Sequence, residues 1–283
     1  MKIPALSKRE FLKLGGAGML ACLAARPAQL LAAEKKKIPV GLQLYSVRKE
    51  CAKDLDGTLA EVAKIGYQGV EFAGYYGREA KQLRKLLADT GLKCCGTHIS
   101  LETLQGDALA RTIEFNQTIG NPFLIVPGLP DKYTKSRQGW LDAAEIFNGL
   151  ADELKPHGMR VGYHNHNIEF KPLDGELPED TFFGHTKKEV VMQFDTGNGM
   201  EGGGDAMIFL AKYPGRAASI HAKAYSKKEP TAVMGDDELP WKDIFNLCET
   251  TAGTEWYIIE YEFEPAMPNV KKSFEVMHAW GKC

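Results

Sequence analysis

The sequence predicts an α/β fold, a (β/α)8 TIM barrel that forms a single domain after an N-terminal export signal. From Ile38 onwards, short apolar runs alternate with amphipathic helical runs, and this alternation indicates βαβ units around a parallel sheet. Eight such apolar runs occur, the number that closes a barrel of this type. The chain that remains after the export signal also has the usual length of one barrel, about 250 residues.

The eight apolar runs are predicted to be strands, at 38–45, 68–73, 92–99, 122–127, 159–165, 190–195, 217–223 and 256–262. Between them, apolar residues recur three or four positions apart, as Leu55, Leu59 and Val62 do, which predicts helices. The alternative is a doubly wound open sheet, but the GxGxxG turn that usually follows its first strand is absent. The irregular segment 171–187 is interpreted as a loop insertion rather than a domain boundary.

Residues 1–33 are predicted to be a twin-arginine-like signal peptide, and residues 34–283 the barrel. Basic residues precede a small-residue apolar run from Leu14 to Ala25, which is shorter than the about 20 residues that span a bilayer. The segment from Ser7 to Lys13 resembles the twin-arginine export motif, with Lys8 in the place of the first arginine. Cys22 offers an alternative, a lipidated N-terminus. We therefore expect an exported, periplasmic protein with no membrane span.

Composition limits the class of partner. The chain is 44% hydrophobic and 25% charged, which is typical of soluble globular domains. Removing the first 33 residues leaves 250 residues with a formal charge of −6, so no basic surface is available for a nucleic acid. The five remaining cysteines are odd in number and include no CxxC pair, so neither a disulfide framework nor a zinc ribbon is predicted.

Polar residues at the ends of the predicted strands indicate where the chemistry lies. In a (β/α)8 barrel, side chains at the carboxyl ends of the strands face one shared pocket. The residues found there are Gln43, Tyr45, Glu71, His98, His164, His166, Glu169, Asp195, His221, Lys223 and Glu260. Taken singly, each of them is more often a structural residue than a ligand. Their convergence on one pocket is what points to a site.

A metal site is predicted from four of these residues, namely His164, Asp195, His221 and Glu260. Two buried carboxylates beside two imidazoles are costly without compensation, and a divalent cation supplies it. Mixed nitrogen and oxygen ligands suit manganese, cobalt, zinc or iron better than calcium. Either His164 or Glu169 is expected as the fourth ligand. A serine hydrolase triad is not supported, because no GxSxG turn occurs.

The strand-end motifs also carry a family resemblance over the whole predicted barrel. They are GLQLYS from residue 41, GVEF from 69, YHNH from 163, FDTGN from 194, HAK from 221 and IE from 259. With these motifs the sequence resembles the xylose isomerase-like TIM barrel superfamily, the sugar phosphate isomerase/epimerase group. Asp195, His221 and Glu260 match three ligands of that group's metal. His164 stands where the group has a glutamate, and Asn198 stands where it has a histidine.

The resemblance implies a divalent-metal-dependent sugar isomerase or epimerase. Such an enzyme removes a proton α to a carbonyl through a metal-stabilised enediolate. The alternative that the resemblance also implies is a lyase or dehydratase that acts on 3-keto sugars or 3-keto-glycosides with the same site. A non-catalytic exported sugar-binding protein is a further alternative. The endonuclease branch of the superfamily needs three metals and a basic face, so the charge of the chain argues against it.

Roles within the pocket follow from these expectations. Glu260, His98 and Lys223 are expected to be catalytic, with Glu260 as base, a histidine as its partner acid and Lys223 polarising a substrate oxygen. The alternative for Lys223 is that it only balances a carboxylate such as Glu71. The residues expected to bind substrate are Gln43, Tyr45, Glu71, His166 and Glu169. The expected partner is a small sugar or keto-sugar.

Overall fold

Eight parallel strands form the centre of the structure. The computed structural model describes residues 37–283, so the predicted signal peptide, including Cys22, lies outside the described residues. The strands are β1 Val40–Gln43, β2 Gly69–Ala73, β3 Lys93–His98, β4 Phe123–Val126, β5 Arg160–His164, β6 Val191–Asp195, β7 Ser219–Lys223 and β8 Trp256–Glu260. Each falls inside one of the predicted strand ranges, so the eight strand predictions are confirmed.

The strands close into a barrel in sequence order, with β1 paired in parallel to β8. Each strand pairs with the next along the chain, and the register aligns polar residues at the carboxyl ends. Asp195 lies beside His221, and Lys223 lies beside Glu260. The predicted TIM barrel is therefore confirmed, and its topology brings the strand-end residues to one rim.

Helices surround the barrel and connect the strands. They are α1 Arg48–Lys53, α2 Leu55–Ile65, α3 Ala80–Thr90, α4 Asp107–Ile119, α5 Asp131–Thr134, α6 Arg137–Leu154, α7 Pro178–His185, α8 Thr196–Gly202, α9 Ala206–Lys212, α10 Trp241–Leu247 and α11 Ala266–Ala279. Helix α7 lies in the segment predicted to be a loop. Its buried apolar residues include the adjacent pair Phe182 and Phe183, and adjacent residues do not show helical periodicity.

Two apolar layers stabilise this architecture. Inside the barrel, Phe123, Ile125, Val191 and Ala218 form a buried cluster. Outside it, aromatic rings of α6 and α7 pack edge to face, with the rings of Phe147 and Phe182 4.9 Å apart, an arrangement that aromatic pairs favour. Within residues 37–283, no helix has the length and apolar character needed to cross a membrane.

An irregularity between β2 and β3 positions one site residue. Val70 pairs with Cys94 but Glu71 pairs with Gly96, so Cys95 is an extra residue that forms a β-bulge. A Cβ atom at Gly96 would come within 2.3 Å of Glu71 Oε1. The bulge and the glycine together leave room for the Glu71 carboxylate inside the barrel.

Glycine is required at position 162 by the packing of the barrel interior. A Cβ atom there would lie 2.6 Å from Ile125 Cδ1 and 2.8 Å from Val191 Cβ. We expect Gly162→Ala to lower the free energy of unfolding by about 1–3 kcal/mol through overpacking. Gly149 is the matched control, because it is exposed within α6 and a Cβ atom there meets nothing within 4 Å.

For Gly149→Ala we expect the free energy of unfolding to increase by about 0.5–1 kcal/mol, since alanine is more favourable than glycine in a helix interior. Urea unfolding of both variants measures the two effects. Equal stability of Gly162→Ala and the unsubstituted protein would contradict the packing argument.

Candidate active site

Four potential metal ligands meet at the carboxyl end of the barrel. His164, Asp195 and Glu260 are the last residues of β5, β6 and β8, and His221 lies within β7. One donor atom from each residue lies within 4.8 Å of those of the other three. The four side chains are buried. The strands therefore hold two imidazoles and two carboxylates together in the interior, as the sequence predicted.

His221 lies at the centre of the cluster between carboxylates. Its Nδ1 lies 2.6 Å from Glu260 Oε2 and 3.7 Å from Asp195 Oδ2, and its Nε2 lies 2.6 Å from Glu71 Oε2. Burial lowers the pKa of His221, but the charges of Glu71 and Glu260 outweigh it and raise the pKa to about 10. Burial likewise raises the pKa of Glu71, while His98 and His221 lower it to about 2. The His221 ring and Glu71 are thus strongly ionised.

Asp195 contributes an oxygen that the protein leaves unpartnered. Its Oδ1 accepts a hydrogen bond of 2.7 Å from Asn198 N, but its buried Oδ2 has no hydrogen-bond partner in residues 37–283. Burial and the charge of Glu260 raise the pKa of Asp195, Lys223 and His221 lower it, and the net result is a pKa of about 7. A buried, unpartnered carboxylate oxygen beside imidazole nitrogens is a donor set that fits a divalent cation.

Lys223 lies beside this donor set. Its Nζ donates to Asn198 Oδ1 at 2.9 Å and lies 3.4 Å from Glu260 Oε1, and it also contacts Glu262. Burial lowers the pKa of Lys223, but Asp195, Glu260 and Glu262 raise it overall. Burial raises the pKa of Glu260, and Lys223 and His221 bring it well below its usual range. Lys223 is therefore a fixed cation, and Glu260 is a weak base in this environment.

A cavity of about 1050 Å³ opens above the cluster. Its polar lining includes His98, His164, His166, Lys223 and Glu260. The His166 ring packs against His164, with ring centroids 5.1 Å apart, and makes no hydrogen bond with the described residues. Burial lowers the pKa of His166, so this imidazole is neutral and faces the space where a ligand would lie.

The structure separates the predicted substrate-binding residues into two groups. Tyr45 and His166 line the cavity. Gln43, Glu71 and Glu169 have no exposed surface and are absent from the cavity lining. These three side chains therefore occupy supporting positions below the cavity surface.

Glu169 also lies apart from the four potential metal ligands. Its Oε1 accepts a 2.5 Å hydrogen bond from the Tyr163 hydroxyl, and its Oε2 accepts a 2.8 Å bond from His166 N. Of the two alternatives for the fourth ligand, the structure brings His164 into the cluster and leaves Glu169 outside it.

Two amides that the sequence did not single out also support the site. Gln193 lies on β6 two residues before Asp195 and bonds Glu71, His98 and His164. The Asn165 side chain makes two hydrogen bonds with the backbone of Asp195. It accepts from the N–H at 2.8 Å and donates to the carbonyl at 3.2 Å. The sequence does contain a signal for Gln193. Residues two apart on a strand share a face, so Gln193 shares the face of Asp195, and it is a polar residue within an apolar run.

Comparison with known proteins gives matches over most of the chain. The model of a family described as xylose isomerase-like TIM barrel matches residues 59–280. An inosose dehydratase of Yersinia enterocolitica is 27% identical over 253 residues, covering 75% of this chain and 83% of that protein. A sugar phosphate isomerase/epimerase structure from Parabacteroides distasonis has a TM-score of 0.74 at 24% identity, covering 85% of this chain and 98% of its own.

A further solved structure, the probable 3-DHS dehydratase from Bacillus anthracis, has a TM-score of 0.67 at 13% identity. It covers 85% of this chain and 99% of its own. At these identities the two structural matches establish a shared fold.

We expect Asp195→Asn to abolish binding of a divalent metal, because it removes the charge of the one ligand with an unpartnered buried oxygen. Asp205→Asn is the matched control, since Asp205 is exposed and only caps α9 through Met207 N. Metal content after gentle purification and Mn²⁺ titration of both variants measure the effect. Full metal content in a folded Asp195→Asn protein would rule out this ligand assignment.

Proposed function

The chain belongs to the xylose isomerase-like TIM barrel family, and from this premise we propose that it is a divalent-metal-dependent enzyme. The proposed reaction begins with removal of a proton α to the carbonyl of a small polyhydroxylated substrate, a keto-sugar or a keto-inositol. The observation that carries the proposal is the buried donor cluster, with its unpartnered Asp195 oxygen, beneath a cavity of about 1050 Å³.

His164, Asp195, His221 and Glu260 are the residues that would hold the metal, which we propose to be manganese, cobalt, zinc or iron. When bound, a divalent cation supplies Lewis acidity that polarises a carbonyl oxygen. Glu71 supports this arrangement from below, because its bond to His221 Nε2 leaves Nδ1 to face Asp195 and Glu260. Such a carboxylate behind a ligating histidine fixes the orientation of the ring.

The proton-transfer roles follow from position around the barrel. His98 ends β3 and Lys223 ends β7, four strands apart in an eight-stranded barrel, so they lie on opposite sides of the cavity. His98 lines the cavity and is the base that we propose. Lys223, a fixed cation, stabilises negative charge that develops on a substrate oxygen. Glu260, held at low pKa, serves as a ligand rather than as the base.

Elimination of a β-substituent is the outcome that we favour after proton removal. Because Lys223 stays protonated, it can donate a hydrogen bond to a leaving hydroxyl or glycosyl oxygen. The electron pair of the broken C–H bond forms the C=C bond, and the oxygen departs with the C–O pair and takes a proton from water. Support also comes from the relatives that are named inosose dehydratase, at 23 to 27% identity. The proposed class is therefore a carbon–oxygen lyase that acts on a keto-inositol, a 3-keto sugar or a 3-keto-glycoside.

Isomerisation or epimerisation is the second candidate, and His166 is the observation that favours it. This imidazole is neutral, faces the cavity and has no hydrogen-bond partner in the described residues. It offers a second proton-transfer group besides His98, and an epimerase needs two such groups, one to remove the proton and one to return it. Formation of an unsaturated ketone supports the lyase, whereas a stereoisomer that carries solvent deuterium supports the epimerase.

We expect the metal-loaded protein to exchange the α proton of a keto-inositol or 3-keto-glycoside for solvent deuterium, measured by NMR. Lys223→Met should lower the exchange rate by about 10²-fold or more, because it removes the charge that stabilises the developing oxyanion. Lys228→Met is the control, since Lys228 is exposed and lies outside the cavity lining. Undiminished exchange in Lys223→Met would show that the lysine only balances the charge of its carboxylate neighbours and has no role in the reaction.

We also propose that the protein is exported and acts in the periplasm, on the evidence of residues 1–33. N-terminal sequencing of the protein from its native cells is expected to show a chain that begins near residue 34. An N-terminus with a lipidated Cys22 would redirect the proposal to a lipoprotein. Recovery from the cytoplasm with Met1 or Lys2 at the N-terminus would reject export.

A further inference from the structure

Gln193 lies fully buried beneath the cavity and contacts both histidines that flank it. Its Oε1 lies 2.7 Å from His98 Nε2 and 3.1 Å from His164 Nδ1. Its Nε2 donates to Glu71 Oε1 at 2.8 Å and to Ser219 Oγ at 3.0 Å. One carboxamide therefore joins the buried carboxylate to two imidazoles.

Glu71 decides which way this carboxamide points. Glu71 Oε2 accepts from Gln43 Nε2 at 2.8 Å and lies 2.6 Å from His221 Nε2, so the group is surrounded by N–H donors as an acceptor is. Its Oε1 therefore requires an N–H from Gln193. The reversed amide would place two oxygens 2.8 Å apart in the interior, which is strongly unfavourable. Gln193 must therefore present Oε1, which only accepts hydrogen bonds, to the two imidazoles.

We propose that Gln193, oriented by Glu71, is a positioning residue that fixes the tautomers of His98 and His164. Because Oε1 only accepts, both His98 Nε2 and His164 Nδ1 must carry hydrogen. His98 Nε2 is also 3.2 Å from Glu71 Oε2, a second acceptor that requires the same hydrogen. The opposite nitrogens, His98 Nδ1 and His164 Nε2, then keep their lone pairs.

The two free nitrogens are the ones that the site needs. Neither His98 Nδ1 nor His164 Nε2 makes a hydrogen bond with residues 37–283, and both rings line the cavity. His164 would bind a cation through its lone pair, and His98 would take a proton through its own. The inference deepens the proposed function, on which these two roles rest; the tautomers themselves follow from the hydrogen bonds alone.

The test is NMR of the metal-free, substrate-free protein with ¹⁵N-labelled histidine at pH 8.5. Long-range ¹H–¹⁵N correlations distinguish a protonated ring nitrogen from one with a lone pair, and loss of signals in His98→Gln and His164→Gln assigns the two rings. We expect a single Nε2–H form of His98 and a single Nδ1–H form of His164. Observation of the opposite tautomer, or of a mixture, at either ring overturns the proposal.

Gln193→Met tests the cause, because methionine has a similar size but cannot orient the rings by hydrogen bonding. We expect mixed tautomers at both histidines and a loss of Mn²⁺ affinity of about 10–100-fold. Ser219→Ala is the matched control, since it removes a partner of Gln193 but leaves Glu71 to orient the amide, and it should keep both tautomers. Unchanged tautomers in folded Gln193→Met would overturn the proposal, and the wild-type spectrum decides the tautomers even if this variant does not fold.

The tautomer measurements need neither bound metal nor substrate. If the expected tautomers are found but no keto substrate exchanges deuterium, the proposed function alone is overturned. Deuterium exchange together with the opposite tautomers would overturn the role of Gln193 alone.

Discussion

A single buried carboxylate, that of Glu71, organises the carboxyl end of this barrel. It has no exposed surface, and an unpaired charge in such a place costs several kcal/mol. The donors that compensate it come from strands around the barrel: Gln43 Nε2 at 2.8 Å, Gln193 Nε2 at 2.8 Å, His221 Nε2 at 2.6 Å and His98 Nε2 at 3.2 Å. Each donor is thereby held in a single orientation, and this fixes the orientation of the side chains that pack on these donors from the cavity side.

The fold provides the space that this carboxylate requires. The bulge at Cys95 brings Gly96 opposite Glu71, and the missing Cβ at Gly96 admits the carboxylate into the interior. A polar layer of Gln43, Glu71, Gln193 and Ser219 therefore lies beneath the imidazoles and carboxylates that face the cavity. Placing the charged group inside a closed barrel, whose strands have no free edges, ties the geometry of the site to the stability of the fold.

The sequence was sufficient to predict the barrel and to bring the four potential metal ligands together, and physical reasons explain why. Eight β-type runs with helical runs between them allow few other topologies, and the carboxyl-end rule places His164, Asp195, His221 and Glu260 together. The same rule does not predict how deeply each side chain is buried below the cavity surface. Gln43 ends β1, Glu71 lies within β2 and Glu169 follows β5. The structure buries all three below the cavity surface, because depth depends on register, bulges and rotamers that spacing does not encode.

Charge balance explains why the cluster is suited to a divalent cation rather than to hydrogen bonds alone. Three buried carboxylates, Glu71, Asp195 and Glu260, meet two cations, protonated His221 and Lys223, so the group is one positive charge short. The shortage is expressed at Asp195, whose Oδ2 is unpartnered and whose pKa burial raises to about 7. A divalent ion held by these residues would bring two positive charges and would take the place of the proton on His221 Nδ1, since a ligating nitrogen must be deprotonated. The net gain would be one positive charge, equal to the shortage among these buried groups.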